Sequence, residues 1–223
     1  MNLATKDEIF KCSNNFITSQ GLFCLGNNGE VVFEKKLTST AVEAAEQLVA
    51  DMNVAVVAYD GDDLYTTDLG RIEPVELHEK WGEPASKEIT SLFGHAPGMH
   101  KLLIMDNDAE KLKQTVRPVL EKLAKEHECV VTQAIPTMLE LLPFGCSKAK
   151  GVEELCKHLG IDPTSQLLAI GDAENDVEML EMAAVGVAVG NAGDAAKEAS
   201  DIVVPLTASA GGMGMALKDI LEV

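Results

Sequence analysis

Short apolar runs alternating with amphipathic stretches of helical length organise this chain. Residues 22–25 (LFCL) and 31–34 (VVFE) are β-prone runs separated by Gly26-Asn27-Asn28-Gly29-Glu30, and Asn-Gly is a strong turn signal, so a hairpin is expected. Ser39 opens a helix over 40–51, in which Val42, Ala45, Leu48 and Val49 recur at helical spacing. The apolar strand 54–59 follows; Gly61-Asp62-Asp63 breaks it, and Leu64-Tyr65-Thr66-Thr67 reads as its return partner in a second hairpin. From Ile72 to Phe93 the pattern weakens, with a loop at Trp81-Gly82-Glu83-Pro84 and a short helix over 86–93. A strand at 101–105 precedes a helix over 108–126, with Leu112, Val116, Val119, Leu120 and Leu123 on one face despite Pro118. Two strands, 129–132 and 138–142, close this part of the chain.

After Pro143 the texture changes. Helices at 148–159, 176–183, 194–199 and 212–221 alternate with short apolar strands at 167–170, 186–189 and 202–204. Strand-helix alternation at this interval predicts a parallel, doubly wound sheet. The expected division is therefore an α+β module in the first two thirds and an α/β module at the end, with neither internal repeats nor low-complexity segments.

Composition narrows the partners. The chain has 223 residues, 46% of them hydrophobic and 24% charged, with eight prolines, enough to bury an ordinary core in one large domain or two small ones. Its formal charge of −18 repels phosphate backbones and anionic lipid surfaces, and nine aromatic residues are too few for a base-stacking platform. Nucleic acid and membranes are therefore not expected as partners. The five cysteines, Cys12, Cys24, Cys129, Cys146 and Cys156, contain no CxxC pair, which points to a soluble protein of a reducing compartment, cytoplasmic or organellar. The scattered histidines lack zinc-ligand spacing. No run approaches a membrane span, and the acidic residues of the first twenty do not suit a targeting peptide.

An anionic ligand on so acidic a protein needs a cation, and two stretches offer the means. In Leu167-Leu168-Ala169-Ile170-Gly171-Asp172-Ala173-Glu174-Asn175-Asp176 an apolar strand ends at a glycine, and carboxylates and an amide crowd its carboxyl end. That is where open α/β sheets bind ligands, and oxygen donors on a short turn suit Mg²⁺. A plain helix cap is the competing explanation of Asp and Asn before an apolar run. Upstream, Ser147-Lys148-Ala149-Lys150-Gly151 opens a helix. A Lys at a helix N-terminus opposes the dipole, so Lys148 is expected to face an anion, whereas Lys150 reads as a solvated surface residue.

The stretches SKAKGVEELCKHLGI and LLAIGDAENDVEMLEMAAVGVAVGNAGDAAKEASDIVV resemble the third and fourth motifs of the haloacid dehalogenase-like (HAD) phosphatases, in particular their Cof-type branch. The resemblance is dense over 138–204 and is one of arrangement over 22–143. It implies an α/β HAD-like (Rossmannoid) parallel-sheet core, incomplete at its N-terminus, with an inserted α+β cap. The corresponding boundaries are a core remnant at 1–28, a substrate-specificity cap at 29–143 and the core with motifs three and four at 144–223. It further implies a Mg²⁺-dependent phosphatase of small phosphorylated metabolites, with Asp172 and Asp176 on the metal and Lys148, Asp172 and Asp176 in catalysis. Substrate binding would fall to Lys148, Asn175 and Asn191, although a turn residue explains Asn191 equally well.

The family's first two motifs, which carry its nucleophilic Asp and a Ser or Thr, have no counterpart here. The expectation is a truncated chain, inactive or weak by itself, with a catalytically dead phospho-ligand-binding or regulatory protein as the alternative. Tyr59-Asp60-Gly61-Asp62-Asp63-Leu64 has the outline of the first motif, but Asp63 and Leu64 replace its Gly and Thr, and a hairpin turn accounts for it. The glycines at 186, 190 and 193 and at 211, 212 and 214 lack dinucleotide-loop spacing and read as turns.

Overall fold

The computed structural model describes residues 15–95 and 98–221. Along the chain, β1 (Phe16–Thr18), β2 (Phe23–Leu25) and β3 (Val31–Glu34) precede α1 (Ser39–Met52), β4 (Ala55–Asp60) and β5 (Asp63–Thr66). Then come α2 (Ile72–Trp81), β6 (Lys87–Glu88), β7 (Lys101–Met105), the long helical segment α3 (109–126), β8 (Cys129–Ile135) and β9 (Met138–Pro143). The last part holds α4 (Lys148–Leu159), α5 (Pro163–Gln166), β10 (Leu168–Gly171), α6 (Val177–Met182), β11 (Val185–Ala188), α7 (Asp194–Glu198), β12 (Ile202–Val203) and α8 (Gly212–Leu221). Among the described residues no helix is long and apolar enough to cross a membrane.

The chain divides into two units, one formed by 1–34 with 147–223 and the other by 35–146. From the sequence the boundaries are expected at 29 and 143. The difference arises because β3 pairs with β2, so the whole first hairpin stays with the unit built by the C-terminal third. Tight packing ties it there: the Cys24 thiol lies 3.7 Å from the Gly151 carbonyl of α4, and a Cβ on Gly151 would stand 2.8 Å from the Gly21 Cα.

In the first unit β10, β11 and β12 are parallel and lie side by side in that order, as the alternation of strands and helices predicts. Their core gathers Ala169, Leu180, Val187, Val189, Ala196 and Ala216. Gly186 is not a turn residue: it lies inside β11, where a Cβ would meet the Leu180 carbonyl oxygen at 2.6 Å, so the close approach of α6 excludes a side chain.

The second unit is a six-stranded mixed sheet in the order β6-β5-β4-β7-β9-β8. One face packs Val56, Ala58, Leu102, Ile104, Leu139 and Leu141 against α1 and α3; the other packs Val57, Leu103, Met105 and Met138 with Leu77 of α2. The β4–β5 hairpin closes over Gly61 and Asp62, with Gly61 at φ 61°, a conformation open to glycine at little cost.

Several expectations are corrected. The cap of α1 is Thr38, whose hydroxyl accepts from the Ala41 N–H, one residue before Ser39. No helix forms over 86–93: Lys87–Glu88 pairs in parallel with β5, Ile89 N–H donates to the Thr66 carbonyl, and Glu46 accepts from Ser91, Leu92 and Phe93. Donors that a helix would use internally are thus taken by distant partners. Pro118, without an N–H, is accommodated by a π-turn over Leu112–Val116, in which Arg117 N–H reaches the Leu112 carbonyl. Val119 then faces outward, 43% exposed, while Leu112, Val116, Leu120 and Leu123 are buried.

Candidate phosphate and metal site

β10 delivers Gly171 to the sheet's carboxyl end, and a single 3₁₀ turn, Glu174–Asp176, carries the chain into α6. The turn folds back on itself: Asp176 Oδ2 accepts from the Asp172 N–H at 3.0 Å and from the Ala173 N–H at 3.1 Å. This explains the glycine. A Cβ at 171 would lie 2.6 Å from the Asp176 Cβ, so any larger residue drives the closing carboxylate out of the turn.

Lys148 reaches the same group from α4, 28 positions earlier in the chain. Ser147 caps that helix by accepting from the Lys150 N–H, and Lys148, its first residue, places Nζ 2.7 Å from Asp176 Oδ1. The Asp176 side chain is 5% exposed and that of Lys148 36%. Burial alone would raise the Asp176 pKa, but the Lys148 ammonium and the two turn N–H groups outweigh it and hold the carboxyl below its ordinary range. The ammonium that opposes its own helix dipole is thus balanced by a buried carboxylate.

Asp172 is different. Its side chain is exposed, while its backbone carbonyl accepts from the Gly193 N–H at 2.9 Å, which fixes the loop after β11 beside it. Asn175 is exposed on the same turn. Asn191 belongs to that neighbouring loop, where its Oδ1 accepts from the Ala208 N–H at 2.8 Å and ties the loop to the segment before α8. Lys150 is engaged on the outer surface of α4 with Glu153 and Glu154.

The donor set bears directly on a metal. Both Asp176 oxygens are engaged by Lys148 and the turn, so Asp172 offers the carboxylate open to an ion. Among the described residues no group of three His, Cys, Asp or Glu side chains is placed to hold one. Mg²⁺ binds through one or two carboxylates and keeps several waters, so Asp172 fits as a single protein ligand of that ion but does not enclose it. The sequence marks Gly171 as the sharp turn at the end of the strand but not the closure of that turn by Asp176, for which a glycine five residues before an Asp on a strand-to-helix turn is the signal.

Asp60, the near-match to a nucleophile motif, sits in the second unit. Its carboxylate lies 2.8 Å from Lys36 Nζ and 3.5 Å from His95 Nε2, and the Gly61 N–H beside it donates to His100 Nδ1 at 2.9 Å. It is a hairpin-end residue with structural partners.

A family model described as haloacid dehalogenase-like hydrolase matches residues 4–217. The chain is 31% identical over 206 residues to a protein of Arabidopsis thaliana named Endoribonuclease YBEY, chloroplastic, covering 91% of this chain and 34% of that protein. It is 38% identical over 85 residues to the 5-amino-6-(5-phospho-D-ribitylamino)uracil phosphatase YcsE of Bacillus subtilis (strain 168), covering 38% of this chain and 34% of that one. The crystal structure of a haloacid dehalogenase-like hydrolase from Bacteroides thetaiotaomicron is similar with a TM-score of 0.83 at 26% identity, covering 92% of this chain and 76% of that one. In both cases the match spans about a third of the curated relative's own length.

Proposed function

The chain belongs to the haloacid dehalogenase-like hydrolases, whose model spans residues 4–217, and from that premise we propose that it carries part of a Mg²⁺-dependent phosphomonoesterase site for small phosphorylated metabolites. The observation that carries the reading is the Lys148–Asp176 pair at 2.7 Å, held beside the exposed Asp172 carboxylate at the carboxyl end of a parallel strand. Asp172 would hold Mg²⁺, and the bound ion supplies a Lewis acid for a phosphoryl oxygen. Lys148, steadied by Asp176, presents a positive charge to the phosphate, and Asn175 and Asn191 offer amide donors near it. Asp176 acts behind Lys148 as a positioning group. The phosphatase activity named for the YcsE relative supports this reading. The endoribonuclease name belongs to a relative matched over 34% of its length, and a formal charge of −18 is the wrong sign for a phosphate backbone. The second unit serves as the substrate-specificity cap.

A covalent route to phosphate hydrolysis needs a nucleophilic carboxylate in addition to the metal ligand, and in the first unit's described site Asp172 is assigned to the ion and Asp176 to Lys148 and the turn. We therefore expect weak or no turnover from this chain alone, which keeps a second reading in play, a non-catalytic binder of phosphorylated ligands. Phosphate release from a panel of small phosphomonoesters, with and without Mg²⁺, and calorimetric titration with inorganic phosphate separate the two. Mg²⁺-dependent release abolished by Asp172→Ala supports the enzyme; phosphate binding without release, lost in Lys148→Met, supports the binder. Neither release nor binding refutes both.

A further inference from the structure

The strand edges of the two units are unequal. Among the described residues, the outer strands β1, β3, β6, β10 and β12 have two to four residues, and β6 is Lys-Glu. Such short or charged edges resist pairing with another chain. β8, at the end of the six-stranded sheet, has seven residues, Cys-Val-Val-Thr-Gln-Ala-Ile, with no charge and no proline. We propose that this edge is a self-association surface, on which β8 of a second copy pairs antiparallel to continue the sheet.

The register follows from the ladder. Phe144 N–H donates to the Glu128 carbonyl, and Val130 and Thr132 oppose Leu142 and Glu140. In an antiparallel ladder, bonded and non-bonded pairs alternate, so the N–H and C=O groups of Cys129, Val131 and Gln133 point away from β9. Pairing is bounded on one side by the register shift between Gln133 and Ile135, where Gln133 Nε2 already covers the carbonyls of Ile135 and Pro136. A twofold axis through Val131 fits between these limits. It sets Val131 against itself and Cys129 against Gln133 of the second copy, forming about six backbone hydrogen bonds. β8 itself carries no charge, so the paired strands of two strongly acidic chains do not oppose like charges. The interface is small and gives a weak dimer.

The test is sedimentation equilibrium of the full chain from about 10 μM to about 1 mM, the range of a weak association, with residue-resolved amide exchange at both ends. The expected result is a monomer–dimer equilibrium in which the amides of Cys129, Val131 and Gln133 slow at least about tenfold at high concentration, while those of Val130 and Thr132, bonded to β9, do not change. Val131→Pro, which removes the central donor, is expected to be monomeric; if it fails to fold, Gln133→Lys at an exposed position is expected to weaken the dimer about tenfold. A monomer at about 1 mM, or a dimer in which the Val131 amide exchanges independently of concentration, overturns the proposal.

Discussion

Replacing Lys148 by methionine isolates the interaction on which the site reading depends. The Asp176 carboxylate is 5% exposed and keeps its two turn N–H bonds in the variant, but loses a charged partner at 2.7 Å. Breaking a fully buried pair costs about 3–5 kcal/mol. Here the Lys148 side chain is 36% exposed, so water can reach the vacated side of Asp176, and we expect a loss of about 1–2 kcal/mol at pH 7. The pH dependence follows from the sign of the shift. The Asp176 pKa is lowered in the folded protein, so its stabilisation is present above the unfolded value of about 3.9 and disappears as pH falls through the lower folded value. The deficit of Lys148→Met should therefore be largest near neutrality and shrink in acid. Urea denaturation followed by circular dichroism is the assay, because the single tryptophan, Trp81, belongs to the second unit and does not report on the first. Amide exchange at Asp172 and Ala173 adds a local readout. In an Asp176→Asn background the same Lys148→Met change should cost less than about 0.5 kcal/mol. Equal costs in both backgrounds would refute the coupling, and with it the claim that Asp176 positions the ammonium.

Gly171→Ala forces a Cβ to within 2.6 Å of Asp176 and should destabilise the first unit by about 1–3 kcal/mol while speeding exchange of the Asp172 and Ala173 amides; an unperturbed melt would contradict the packing argument. Asp60→Asn breaks the ion pair with Lys36 and should lower the second unit's stability, followed by Trp81 fluorescence, by about 1 kcal/mol, leaving phosphate and Mg²⁺ binding unchanged; altered binding would return Asp60 to the site. Glu46→Ala removes the acceptor of Ser91 Oγ and of the Leu92 and Phe93 N–H groups, so those two amides should lose exchange protection, with a loss of about 1–3 kcal/mol.

Much of the architecture could be read from the linear pattern. The Asn-Gly hairpin, the amphipathic runs of α1 and α4 and the alternating strands and helices after Pro143 depend on turn chemistry, periodicity and caps that act over a few residues. The candidate chemistry was legible for the same reason: Asp172, Asn175 and Asp176 sit on one short turn, and the misplaced charge of Lys148 is a local anomaly against its own helix dipole.

The tertiary structure decided which groups are spent and which remain available. Nothing near Lys148 in the chain names Asp176, 28 positions away, as the carboxylate it would meet, or indicates that the same carboxylate would be consumed by two turn amides while Asp172 stayed exposed. Segment 86–93 follows the same rule, since Thr66 and Glu46, not the segment's own carbonyls, take its donors. The first hairpin likewise joins the C-terminal third because Gly21 and Gly151 allow a close approach that no local pattern announces. Local propensity acts over one turn of chain, whereas the satisfaction of a buried charge or donor depends on which distant segment arrives beside it.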